Sequence, residues 1–522
     1  MKALYSLFLM SAFALTANAQ DAYDVGEFSS TDLNGTARYV GMGGALGALG
    51  ADVSAIHSNP AGTGLYRSSD FNITMSGLFS NKGVLGHDAS RLSVDNVGVV
   101  WAFNMDDSGE GLQYLNFGIS YAKSRNHFSN FATAVDGYGK LFSQSCQVAD
   151  LADSCMFNSD WGILADIAAD NDGIAGGHVH DGFLEYEQII KTKDGFEGRG
   201  FYGVPAVAGN YGRARFGNTS EVNLNISSNI SDRLFLGATL GICSMNYTRQ
   251  SFYNEVRDNG DTYEIQNWFK NTGNGVNLKL GFILRPIEDS PLRLGVSVHT
   301  PTWYSMTRSN NANVRYVSGY SYTGYSYDFD YNYRTPWKLG ASIGYTVGRD
   351  FAIGLEYEYM DMASSKYTNL DDYWSVGDEY YNAKRNMVVL NEKVQSIYKA
   401  QHTFKVGFEY KPDKDVSVRF GYNYVTSPFN SDSYKEIPYY SDMTETDWVN
   451  WKATQRFTVG LGFKISNSSY LDLAYQTQFQ KGDLYAFNDW VTPDDGKTKI
   501  FFPSTEVNND RSQLMVTLGC RF

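Results

Sequence analysis

Apolar and polar residues alternate with a period of two along much of the chain, the spacing at which successive side chains leave opposite faces of a strand. Fourteen stretches keep the alternation over about nine residues: 71–79, 96–105, 112–122, 222–230, 234–247, 275–285, 292–299, 337–347, 351–360, 402–411, 416–425, 456–465, 470–480 and 512–522. In WKLGASIGYTV, Trp337, Leu339, Ala341, Ile343, Tyr345 and Val347 share one face, while Lys338, Gly340, Ser342, Gly344 and Thr346 share the other. One face is continuous and apolar. The other is polar or glycine.

A soluble sandwich alternates in the same sense, so the connections decide. DDSGEG, SDR, PIEDSP, GRD, PDKD and SNSS join every second pair of segments, and the intervening connections are all long, the longest running from Lys123 to Glu221. Strict short-long alternation predicts an all-β protein, a 14-stranded antiparallel transmembrane barrel with tight periplasmic turns and extended outer loops. The last segment aligns Leu514, Val516, Leu518, Cys520 and Phe522 and ends the chain on an aromatic. Such a strand is the expected signal for the barrel assembly machinery.

The first residues agree with export: Lys2, an apolar run to about Leu15, and Ala17-Asn18-Ala19, which a signal peptidase accepts. Residues 1–19 are expected to be a signal peptide, with the mature chain starting at Gln20. Beyond it no apolar run approaches the ~18 residues of a transmembrane helix, and mean hydropathy is −0.35. Any membrane residence must use strands. The 38 Tyr, 32 Phe and 51 Gly against 11 Pro are what aromatic girdles and lumen clearance require. A net charge of −14 argues against nucleic acid, since phosphate binding needs a basic surface. Cys146 and Cys155 are candidates for a disulfide in an exported chain, whereas Cys243 and Cys520 fall inside strand patterns.

Fourteen strands enclose a lumen wider than their own side chains fill. Inward positions are often glycine, at 98, 118, 237, 241, 281, 295, 340, 344, 354, 407, 460 and 462, leaving room for another backbone to approach. Residues 20–66, rich in glycine and alanine, are the natural filler, a periplasmic-side hatch ahead of the barrel at 67–522. Here EFSSTDLNGTARYVGMGGALGALGADVSAIHSNPAG, through Glu27 to Ser30, the Arg38 to Gly44 run, Asp52 and Asn59-Pro60-Ala61, resembles the hatch of the FadL-type outer-membrane transporters for long-chain fatty acids and other hydrophobic compounds. The resemblance implies a passive carrier, not an enzyme, in the outer membrane. It places hatch or gating roles at Arg38, Gly41, Gly43, Gly44, Asp52, Asn59, Pro60, Ala61 and Gly62, and a lateral opening at a kink in the third strand. In that strand Asn116 and Gly118 face inward and could accommodate a bulge.

Ligand capture is expected in the longest loop. SDWGILADIAADNDG places Trp161, Leu164 and Ile167 on one helical face, capped by Ser159 or Asp160, with Leu141, Phe142, Met156 and Phe157 near in sequence. An apolar helix also serves simply to pack a loop down. Asp170-Asn171-Asp172-Gly173 opens like a calcium loop but lacks the later ligands. His178 and His180 would permit a haem ligand, so haem or porphyrin uptake is an alternative. A second alternative is a protein-binding barrel similar to the type IX secretion shuttle. No nucleophile elbow, phosphate loop or zinc spacing occurs, and neither metal nor cofactor is expected. The expected partners are a hydrophobic small molecule and outer-membrane lipid and lipopolysaccharide, around a monomer.

Overall fold

In the computed structural model, residues 21–522 are described except 81–83, 107–109, 137–142, 159–163, 165–184, 192–196, 203–204, 258–259, 261, 317–320, 324–326, 370–377, 438–442, 489 and 492–499. All fourteen alternating stretches are strands of one closed antiparallel barrel. They are β1 (Asp70–Ser80), β2 (Ser90–Asn104), β3 (Leu112–Asn126, continued by Ser129–Val135), β4 (Ala206–Ile230), β5 (Leu234–Arg257), β6 (Thr262–Leu284) and β7 (Arg293–His299, continued by Trp303–Tyr316). Then follow β8 (Tyr327–Arg334 and Lys338–Val347), β9 (Phe351–Asp361 and Lys366–Asn369), β10 (Ala400–Asp413), β11 (Val416–Val425), β12 (Trp448–Lys464), β13 (Ser469–Tyr485) and β14 (Arg511–Arg521). Each pairs with its neighbours in sequence. Closure comes from β1 on β14, with Thr74 opposite Thr517 and their hydroxyls 2.7 Å apart.

The outward face carries the apolar belt. On β5, Leu236, Leu240 and Ile242 are exposed, and on β6 Val276, Leu278, Leu280 and Phe282. Above Ile242 the exposed positions become Ser244 and Asn246, which marks where lipid gives way to water. The ladder does not stop there. At ~3.3 Å per residue β5 spans ~80 Å, far more than the ~30 Å hydrocarbon core, so β4 to β6 rise well above the membrane as a hydrogen-bonded wall. The loop expected from Lys123 to Glu221 is correspondingly shorter, because β3 runs on to Val135 and β4 begins at Ala206.

Part of that loop is a helix at Gln144–Asn158, not the polar loop expected around Cys146 and Cys155. Nine residues apart on one helix, the two cysteines are ~13 Å apart at ~1.5 Å per residue, too far for a disulfide.

Candidate functional site

Residues 21–66 thread the barrel from end to end. Their inner half fits a band of glycines on the wall. A side chain at Gly354 would run into the Ala45 carbonyl, one at Gly407 into that of Met42, one at Gly237 into Pro60, and one at Gly281 into Asn59 and Ala61. Gly98 and Gly118 lie against Val53 and Ile56, Gly295 against Gly47, Gly344 against Leu49, and Gly460 against Gly41. Three expected members, Gly241, Gly340 and Gly462, face wall side chains instead. The inward glycines therefore form a track along which one backbone lies on another.

The motif residues hold the hatch in that track. Asp52 caps the 3-10 turn Val53–Ile56 through the Ser54 amide (2.9 Å) and accepts the Thr36 hydroxyl at 2.8 Å. Asn59 caps Pro60–Leu65 by accepting the Ala61 amide, while its own amide donates to the Gly47 carbonyl at 2.7 Å. Pro60 occupies the first position of that turn, where no N–H is needed. Ala61 then rests on the bare backbone of Gly237 and Gly281, and Gly62 packs against Ala55 and Gly50. Gly43 and Gly44 take left-handed backbone (φ 62° and 81°) and return their amides to Val40 and Tyr39, ending the helix Ala37–Gly41. Arg38 joins the hatch to the wall through Glu409 at 3.1 Å and to the Ala51 carbonyl at 2.8 Å.

Asn116 and Gly118 also serve this docking. The Asn116 amide donates to the carbonyls of Thr63 (2.7 Å) and Tyr66 (3.1 Å). The ladder is regular at both positions, and the strand's irregularities lie instead between Leu112 and Tyr114 and between Lys123 and Arg125. At the second of these the third strand departs: β2 pairs with β3 only from Asn104 up to Asn96, opposite Tyr114 to Ala122. Beyond Ala122, β3 leans inward. Asn130 meets Ser80 of β1, and the Arg511 guanidinium donates to the Asn126 carbonyl at 2.9 Å. Hatch residues take up the freed groups: the Asp32 amide donates to Ser124 (2.8 Å), the Asn34 amide to Lys123 (3.1 Å), and the Asn126 amide to the Asp32 carboxylate (3.0 Å).

The outer half of the hatch was expected on the periplasmic side, but Asp21–Phe28 lies at the long-loop end. Ala22, Val25 and Phe28 are buried in a cluster with Tyr247, Phe269, Tyr331, Tyr333 and the helix Asp378–Ile397. Around it the polar groups are ionic. Asp21 meets Lys435 at 2.8 Å, and Asp24 meets Arg249 at 3.2 Å and Arg308 at 4.0 Å. Glu27 pairs with Arg125 (2.7 Å) and Arg215, and Asp32 with Arg511 (2.5 Å) and Arg456 (3.5 Å). Burial opposes charge on Glu27 and Asp32, yet the paired guanidiniums hold both carboxyls well below their ordinary range. Asp24 goes the other way, pushed by burial up to about 6.

Of the capture residues expected in the loop, Leu164 is buried. Met156 and Phe157 end the helix Gln144–Asn158, their side chains outside the described set. Leu141, Phe142, Trp161 and Ile167 lie outside the described residues, as do Asp170 to Gly173, His178 and His180. The ionic clamp was not foreseen. Its acids crowd into DAYDVGEFSSTD, an excess that alternation alone gives no reason for.

A closed barrel with an apolar belt and a plug threaded through its lumen defines a transmembrane outer-membrane β-barrel. No family model matches the chain, and no curated protein matches it in sequence. Among solved structures it is similar to a Pseudomonas aeruginosa FadL homologue, at 12% identity and TM-score 0.51 over 95% of this chain and 100% of that one. The Ralstonia pickettii toluene transporter TbuX is 11% identical with TM-score 0.46, over 94% of this chain and 99% of that one. The P. putida toluene transporter TodX is 11% identical with TM-score 0.44, over the same shares. The likeness to the P. aeruginosa FadL homologue shows a fold of the FadL type.

Proposed function

We propose that this protein carries hydrophobic small molecules passively across the outer membrane, with fatty acids as the first class to test. The observation that carries the reading is the parting of β2 and β3 above Ala122, where the exposed ladder is capped by Asp32 and Asn34 of the hatch. A backbone edge left unpaired in a membrane wall is costly unless capped. One capped by a plug is a closed side door. An apolar ligand gathered at the outer end gains ~25 cal/mol per Å² removed from water, and movement of the hatch or of β3 then gives it a route out of the lumen. No energy source is required, and the barrel works as a monomer inserted through its terminal strand.

Uptake of labelled palmitate by cells with and without the protein tests the reading, with protoporphyrin and toluene as parallel substrates. Protein-dependent uptake of palmitate supports it, and uptake of protoporphyrin alone would favour haem. Copurification of secreted proteins with no uptake of any of the three would overturn the carrier in favour of a protein-binding barrel.

A further inference from the structure

The segment DAYDVGEF, residues 21–28, alternates rings and carboxylates, and the wall around it does the same. Tyr23 stacks on Phe429 with centroids 5.7 Å apart, and Phe28 meets Tyr333 edge-on at 5.6 Å. The guanidiniums of Arg249 and Arg308 both lie over the Phe269 ring, at 4.6 and 4.5 Å. Among the described residues, Arg125, Arg215 and Arg308 have no carboxylate partner except Glu27 and Asp24 of the hatch. All three side chains are 15% exposed or less. The Arg215 Nε and the Arg308 Nε and Nη1 lack hydrogen-bond partners. The wall therefore holds more buried cationic donors than its own acids satisfy, and the hatch supplies the rest.

The neighbouring space is open enough to admit a competitor. A cavity of about 240 Å³ borders Asp21, Ala22 and Tyr23 beside Leu390, Ile397 and Met443, larger than the ~150 Å³ that accommodates benzene. A second, of about 100 Å³, also borders Asp21 and Tyr23 and is lined by Glu27, Arg125 and Arg215.

Resting on the carrier reading above, we propose that the outer lumen is a binding site for aromatic compounds bearing a carboxylate, and that Asp21–Phe28 occupies it as a tethered surrogate until such a ligand displaces it. The physical reason is charge. A neutral hydrocarbon that pushed the segment aside would leave Arg125 and Arg215 buried without their counterion, Glu27. Stripping one partner from a buried ion pair shifts an equilibrium by a factor on the order of a thousand. A ring with a carboxylate replaces both what the segment stacks and what it neutralises, and a planar guanidinium suits that group in two-pronged pairing. The hatch is thereby a selectivity device: it yields to anionic aromatics and stays closed to neutral ones of the same size.

The test is binding of naphthalene-2-carboxylate and 2-naphthalenemethanol to the full-length barrel in nanodiscs, read by calorimetry and by hydrogen exchange over residues 21–32. The carboxylate is expected to bind at least tenfold more tightly and to raise exchange in the segment. Glu27→Gln weakens the surrogate and should tighten carboxylate binding several-fold, whereas Arg215→Gln should abolish the preference, with both variants checked for heat-resistant barrel migration. Equal affinity for the acid and the alcohol, or unchanged exchange on binding, would overturn the proposal. Uptake separates it from the carrier reading: protein-dependent uptake of both compounds alike leaves a carrier without this selectivity. Selective binding with uptake of neither leaves the site without a carrier.

Discussion

Asn34 of the hatch donates a hydrogen bond across 3.2 Å to Asp95 of β2, at the height where β2 loses its ladder with β3. Asp95 also accepts the Ser93 hydroxyl at 2.7 Å and a weaker bond from Gln513 of β14 at 3.4 Å. Hatch, parted strand and closing strand thus meet at one buried carboxylate. Asp95→Ala should weaken hatch anchoring by about 1–3 kcal/mol, the cost of unsatisfied buried partners, while the ladders stay whole. In planar bilayers the variant is expected to flicker open more often than the wild type, with unchanged heat-resistant migration. Indistinguishable current traces would mean that Asp95 does not hold the gate.

The glycine track gives a sharper contrast between neighbours. Gly354→Ala places a methyl group against the Ala45 carbonyl of the hatch, whereas Gly340→Ala meets only the Ser297 side chain and, farther off, its carbonyl. Overpacking of this kind costs about 1–3 kcal/mol. The first variant should raise mean conductance severalfold, and the second should not. Deletion of residues 24–60 sets the upper bound on conductance for both.

How much of this was legible depended on what forced the pattern. Lipid imposes apolar residues on the outward face, so the strands could be read wherever they cross the membrane, as at Leu236 to Ile242 of β5. Above it the ladder continues past Ser244 and Asn246 with no such demand on its outer face, and the extended wall passed for loop. The glycine track was readable because backbone-to-backbone contact excludes Cβ atoms whatever the partner. The clamp was not, because Glu27 and the cations that hold it, Arg125 and Arg215, are 98 and 188 positions apart, and separation in sequence conceals charge pairing. The bulge was placed at Asn116 and Gly118 because small inward residues tolerate one. What decides it is the hatch, which pairs with the strand at Ser124 and leaves Asn116 to bind Thr63 and Tyr66.

Sidedness follows from the same wall. A cysteine at Asp432, exposed on the long connection after β11, should react with a membrane-impermeant maleimide on intact cells. One at Lys414, exposed in the tight turn between β10 and β11, should react only after the outer membrane is opened. The reverse pattern would invert the barrel and place the aromatic cluster in the periplasm.

The clamp predicts how hatch docking responds to pH. Asp24 is enclosed among Arg249, Arg308, Asp21 and Glu445, and burial, reinforced by the two carboxylates and opposed by the two guanidiniums, pushes it up to about 6. Released into water it would titrate near its ordinary ~3.9. Between those values the docked segment holds a proton that the free segment has lost, so docking strengthens as pH falls through 6 and gains nothing more below about 4. Glu27 and Asp32 have the opposite sign, since their depressed values favour docking at higher pH. Their contribution changes only below about 5, where the released carboxylates begin to protonate. The window from 6 to 5 therefore belongs to Asp24. Wild-type barrels in planar bilayers should open less often at pH 5 than at pH 7.5. Asp24→Asn, which cannot ionise, should show at pH 7.5 the low opening frequency of the wild type at pH 5 and lose its dependence across that window. If the variant and the wild type keep parallel pH profiles, the titrating group is not Asp24.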